Sequence, residues 1–153
     1  MNPFKTVSLQ KHISTGFLLI IVVYASYSQS SINTIDDAMA AISGSQKQIL
    51  MVFSGSDWCK PCIQLKKEIL EAEEFTSYSS ERLVQLTLDF PYKKKNRLSE
   101  VQKQHNEILA EEFNPQGIFP YMLLMDQNRQ VIGTLSYRKG MKPQELIQDI
   151  NEL

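Results

Sequence analysis

The amino-acid sequence predicts an α/β fold, with a four-stranded mixed sheet carrying helices on both faces. Three features carry that prediction: two apolar runs separated by a helical stretch, a later pair of short strands with a polar connection, and a closing amphipathic helix behind Pro143. At 153 residues, 42% hydrophobic and 22% charged, the chain has the size and balance of one core and is expected to form one domain.

The first segment is set apart from that domain. Met1 to Ser28 has no acidic residue, carries Lys5 and Lys11, and runs Gly16-Phe-Leu-Leu-Ile-Ile-Val-Val-Tyr24 before the small residues Ala25, Ser26 and Ser28. This is the pattern of a secretory signal peptide over residues 1–28, cut between Ser28 and Gln29, with the domain over 29–153. A retained membrane anchor is the other reading of the same residues, and only in that case would the chain meet a membrane. Both cysteines survive the cut, and an exported pair can persist as a disulfide. Losing two lysines leaves 14 basic against 17 acidic side chains, a formal charge of −3. That balance argues against a nucleic-acid partner. The one basic cluster, Lys93-Lys94-Lys95 with Arg97, lacks interleaved aromatics and reads as a solvated loop.

Ile32, Ile35, Met39 and Ile42 recur at helical spacing, with Gly44 as the stop. The unbroken run Ile49-Leu50-Met51-Val52-Phe53 within Gln48–Phe53 reads as a strand buried on both faces, bounded by Ser54-Gly55-Ser56. From Lys60 to about Ala72, Cys62, Leu65 and Ile69 share one helical face, so Cys62 is expected to point inward and Cys59 to stand exposed at the helix start. Leu83 to Leu88 is the next strand, which makes a right-handed parallel crossover. Leu98, Val101, Ile108 and residues 111–113 predict a helix with His105 on its apolar stripe, where it reads as a packed structural histidine. Asn114-Pro115-Gln116-Gly117 ends that helix. Tyr121–Met125 and Val131–Tyr137 are joined by a polar connection of hairpin length, and Leu146, Ile147, Ile150 and Leu153 complete the last helix.

The chemistry is expected in Trp58-Cys59-Lys60-Pro61-Cys62. Disulfide exchange needs an accessible thiolate and a second thiol near enough to resolve the mixed disulfide. A helix start favours negative charge on Cys59, Lys60 adds a positive charge nearby, and Pro61 stiffens a turn whose N–H has no partner to lose. Two thiols and one distant histidine of the domain fall short of a zinc site, and Ile63 stands where c-type haem attachment requires His. No metal and no other cofactor is expected. A purely structural disulfide is the rival reading of the pair.

A strand ending in Ser54-Gly55-Ser56-Asp57, then Trp-Cys-x-Pro-Cys at a helix start, then Ile118-Phe119-Pro120 before a hairpin, resembles the thioredoxin superfamily across the whole chain after the signal segment. It is most similar to secreted thioredoxin-like proteins with a Gly-Ser-Asp-Trp-Cys lead-in. It is also similar to the C-terminal domain of periplasmic thiol-disulfide interchange reductases. The resemblance implies a thioredoxin-like fold, a Cys59/Cys62 redox pair, and a cis Phe119-Pro120 bond facing it. It also implies a Phe119 backbone that pairs with incoming polypeptide as an added strand. Trp58 would form part of the apolar rim or of the core, a choice the sequence leaves open. One departure is Phe53, which stands where cytosolic thioredoxins bury an Asp that assists proton transfer; Asp57 and Glu68 are nearby in sequence, and neither is assigned that role.

The implied activity is exchange of disulfides with exported proteins in the periplasm or outside the cell, by a monomer recharged by an upstream electron donor. A chain without the dimerisation domain of the isomerases or the helical insertion of the strong oxidants is expected to act as a reductase. The alternative is a thioredoxin-shaped module that binds polypeptide and keeps an inert disulfide.

Overall fold

The computed structural model describes residues 32–153, so the proposed signal peptide and its cut after Ser28 lie outside the described residues. Its elements in chain order are α1 (Ile35–Ile42), β1 (Gln48–Ser54), α2 (Lys60–Leu65), a π-helical turn (Lys66–Leu70), α3 (Glu73–Arg82), β2 (Leu83–Asp89), a 3-10 turn (Lys94–Asn96), α4 (Glu100–Phe113), β3 (Tyr121–Met125), β4 (Val131–Leu135) and α5 (Pro143–Asn151). The sheet order is β2-β1-β3-β4, with β1 parallel to β2, β1 antiparallel to β3, and β3 antiparallel to β4. This is the expected four-stranded mixed sheet.

Strand β1 divides the interior. Side chains of a strand alternate between faces, and both faces of β1 are covered, which is why its apolar run has no polar interruption. Leu50 and Val52 enter one core with Leu65, Ile69, Phe75, Leu146 and Ile150 from α2, the π turn, α3 and α5. Ile49, Met51 and Phe53 enter the other with Ile35, Ala38 and Ile42 of α1 and Leu109 of α4. Phe53 is fully buried and its ring lies 5.9 Å from that of Tyr121. Truncating it to Ala would cost about 3–5 kcal/mol from lost burial and the cavity left behind.

Two expectations need correction. The helix from Lys60 does not run evenly to Ala72 and into the next strand; a π turn interrupts it, Ala72 is extended at ψ 143°, and a separate helix, α3, fills residues 73–82. That helix buries only Phe75 and Ser79 among charged and hydroxyl residues, too sparse an apolar pattern to announce it. The inward face of α4 is also rotated from the one expected. Val101 is 79% and Ile108 62% exposed, while Asn106 and Leu109 are buried. Asn106 can be buried because its amide is satisfied: it donates to the Asp89 carbonyl (2.8 Å) and accepts from Gln102 Nε2 (2.9 Å). A satisfied polar residue occupies a position where periodicity looks for an apolar one.

His105 lies beside that face, half-buried, and its Nε2 accepts the Ile35 amide at 3.1 Å. It therefore satisfies one of the orphan N–H groups at the start of α1, alongside the Thr34 hydroxyl, which takes the Asp37 amide. The Thr34 side chain in turn holds the Asp37 carboxyl below the usual range, against the opposing effect of burial. The structural reading of His105 gains a partner that the sequence does not reveal.

Candidate thiol–disulfide site

The turn after β1 is built around Gly55. Its carbonyl accepts the amides of Trp58 (3.4 Å) and Cys59 (2.9 Å), and its missing side chain leaves room for the Trp58 indole. A Cβ there would sit 2.3 Å from the ring. Ser56 is fastened to the end of β2, its amide (2.8 Å) and hydroxyl (2.6 Å) both donating to the Asp89 carboxylate. These contacts deliver Cys59 to the N-cap of α2.

Cys59 is bonded to Cys62 in a disulfide, with Cα atoms 5.2 Å apart. The Cys62 amide donates to Cys59 Sγ at 3.2 Å, as an N-cap side chain requires, so that sulfur already occupies a place where an N–H favours negative charge. Pro61 lies in the first turn, where its missing N–H costs nothing. The expected contrast between an open Cys59 and a buried Cys62 is small in this oxidised state: Cys59 is 5% exposed and Cys62 2%.

Trp58 is half exposed, and its Nε1 donates to the Phe90 carbonyl at 2.7 Å. Its ring meets Phe119 edge-on at 5.4 Å, and Phe119 meets Phe90 in the same way at 5.4 Å. The three aromatics form one rim beside the disulfide. The Phe119-Pro120 bond is cis, and Phe119 lies just beyond the last β1–β3 pair, Phe53 with Tyr121. Trp58, next to Cys59 in the chain, thus meets Phe119, and Pro120 follows Phe119 through the cis bond. Phe90 belongs with them and escapes a reading of the sequence, because its part is played by a backbone carbonyl and a ring contact far along the chain.

Asp57 accepts the amides of Tyr92 (2.8 Å) and Lys93 (2.9 Å) and the Asn96 side chain (2.8 Å). Burial opposes its charge, yet those donors prevail and hold its carboxyl below the ordinary Asp range. Such a carboxylate is a poor acceptor for a proton from Cys62. Glu68 is solvent-exposed on the π turn. With Phe53 apolar, Cys62 adjoins a cleft of about 300 Å³ whose lining mixes Val52, Leu65 and Leu70 with Ser54, Ser56, Thr87 and Asp89. Among the described residues, no three His, Cys, Asp or Glu side chains converge to hold a metal ion.

A four-stranded sheet of this order, with a Cys-x-x-Cys pair at the start of the helix after β1 and a cis-proline before β3, defines the class of thioredoxin-shaped thiol–disulfide proteins. The chain belongs to the thioredoxin-like domain family, whose match runs over residues 35–151. It is similar to the disulfide bond reductase DsbH of Chlamydia pneumoniae, 32% identical over 94 residues that cover 61% of this chain and 55% of that protein. It is also similar to the thioredoxin-related protein DsbJ of the same organism, 31% identical over 94 residues, covering 60% and 26% respectively. The chain therefore spans about half the length of the first relative and about a quarter of the second. Among solved structures, a DsbH oxidoreductase superposes with a TM-score of 0.70 at 25% identity, covering 78% of this chain and 80% of that one. A disulphide isomerase from Xylella fastidiosa shares the fold at TM-score 0.58 and 19% identity, over 77% and 86% of the two chains.

Proposed function

We propose that the chain is a thiol–disulfide oxidoreductase that reduces disulfides of exported proteins in the periplasm or outside the cell, with Cys59 as the attacking residue and Cys62 as the resolving one. The observation that carries this reading is the Cys62 amide donating to Cys59 Sγ at the start of α2. It places a hydrogen-bond donor where a Cys59 thiolate would need one, in a fold whose relative is named a disulfide bond reductase.

In the reduced protein, the Cys59 thiolate bonds to one sulfur of the substrate disulfide. The substrate S–S bond breaks, and its other sulfur leaves as a thiolate that takes a proton from water. Cys62 then gives up its proton to water and attacks Cys59 Sγ. The mixed disulfide breaks, the second substrate sulfur departs, and two electrons have passed to the substrate. The protein is left with the Cys59–Cys62 disulfide, which a dithiol donor reduces for the next cycle. Trp58, Phe90 and Phe119 would supply an apolar rim, and the Phe119 backbone, beyond the end of the β1–β3 ladder, would pair with an extended substrate segment. The segment 1–28 would act as the export signal.

Reduction of insulin by dithiothreitol, followed by turbidity, tests the reading. Wild type is expected to accelerate precipitation and Cys59→Ser to leave the uncatalysed rate. Equal rates for the two proteins would overturn it.

A further inference from the structure

We propose that the groove beside the aromatic rim selects substrates that carry an acidic residue a few positions from the reactive cysteine. This rests on the oxidoreductase reading and names the polypeptide class it serves. The groove has a volume of about 510 Å³, and Phe90, Pro91, Tyr92 and Leu98 form its apolar lining, with Arg97 and Lys103 as its cations. Phe90 makes it continuous with the site, since the same residue accepts the Trp58 indole N–H and packs against Phe119. The wall is also tied to the redox motif directly. Asp57, two residues before Cys59, holds the amides of Tyr92 and Lys93, so the loop cannot drift from the disulfide while those bonds last.

The charges decide the occupant. Glu100 and Glu107 both pair with Lys103, at 3.7 and 3.6 Å, and Asp89 is occupied by the Ser56 amide and hydroxyl and by the Phe90 amide. Each carboxylate of the groove has a partner, yet Asp89, Glu100 and Glu107 outnumber Arg97 and Lys103, so the positive charge is confined to the end where Arg97 adjoins Lys94 and Lys95. Arg97 forms no ion pair among the described residues, and neither do Lys94 and Lys95 of the turn before it. In a domain with more acidic than basic residues, this edge of the site keeps uncommitted positive charge. A guanidinium presents a planar fork that matches a carboxylate, and Tyr92, 84% exposed, offers an aromatic face to the chain bearing it. An extended chain advances about 3.3 Å per residue, so the position of the acidic residue relative to the cysteine sets whether it meets this loop.

The test uses peptides joined through one cysteine to a fluorescent thiol, identical except for Glu, Gln or Lys three to five positions from the cysteine, on the amino-terminal side in one set and the carboxy-terminal side in another. Wild type should release the reporter from the better-placed Glu peptide with a kcat/KM about tenfold above its Gln counterpart, the scale of one charge-assisted contact. The Glu-to-Gln ratio should fall to near one in Arg97→Gln, invert in Arg97→Glu, and shrink as salt is raised. Fluorescence anisotropy with cysteine-free versions of the peptides measures the same preference without redox chemistry. Equal kcat/KM for all three charges in both sets overturns the groove assignment and leaves the oxidoreductase reading intact. No turnover of any peptide, together with Arg97-dependent binding of the Glu peptides, overturns the oxidoreductase reading and keeps the groove as an acidic-peptide site. Neither turnover nor selective binding overturns both.

Discussion

The Trp58 indole lies against Gly55, so close that a methyl group on residue 55 would meet the ring at 2.3 Å. The ring is the movable partner, and Gly55→Ala is expected to push it off the Phe90 carbonyl and away from Phe119. Trp58 is the only tryptophan, so its fluorescence reports the shift directly. We expect a red-shifted emission maximum, a loss of about 1–3 kcal/mol of stability from overpacking, and a several-fold rise in KM for protein substrates. An unchanged spectrum would show that the turn, and not the ring, absorbs the added methyl.

Trapping separates the two sulfurs. Cys62→Ser leaves Cys59 able to attack but unable to resolve, so mixed disulfides with exported proteins should accumulate on non-reducing gels. Cys59→Ser should capture far less, because Cys62 lacks the N-cap position, where a backbone N–H favours the thiolate. If Cys62→Ser forms no more adducts than wild type, the disulfide is structural.

Asp57 makes a pH-dependent contribution to stability whose direction follows from its partners. Its carboxyl is held below the ordinary value of about 3.9, so the fold favours the charged form. The resulting stability is present above that value and is lost as pH falls through the folded-state value. Thermal midpoints of wild type and Asp57→Asn should therefore differ at neutral pH and converge below about pH 4. Two curves parallel to the acid end would mean that the loop amides bind the neutral side chain equally well.

His105→Ala should cost about 1 kcal/mol, the usual value of a lost hydrogen bond, as the Ile35 amide loses its acceptor. The loss should be confined to stability, with insulin reduction at the wild-type rate. A large fall in the rate of exchange would give this histidine a chemical role that its position on α4, against the start of α1, does not.

What could be read in the sequence was whatever repeats with the period of its element. Ile49 to Phe53 had to be a doubly buried strand, and Cys62, Leu65 and Ile69 had to share an inward face. Helix α3 stayed hidden because Phe75 stands nearly alone among polar residues, and the face of α4 was misplaced because Asn106 is buried by virtue of its hydrogen bonds. The cysteines were legible from spacing, and the cis bond at Pro120 from family resemblance. The clamps around them were not. Ser56 with Asp89 and Asp57 with Tyr92 join positions 33 and 35 residues apart, through polar contacts that leave no local pattern.

Strand β1 is paired on both edges and covered on both faces, while the loop that Asp57 holds is exposed. Amide protons at Leu50 to Val52 can then reach solvent deuterium only through opening of the whole domain, whereas those at Lys94 and Lys95 exchange through small local excursions. The redox pair then lies between a strand expected to exchange slowly and a loop expected to exchange fast. Its sulfurs are thus anchored to the better-protected side, while Asp57 ties the substrate-facing loop to them and leaves the tip at Lys94 and Lys95 open to solvent.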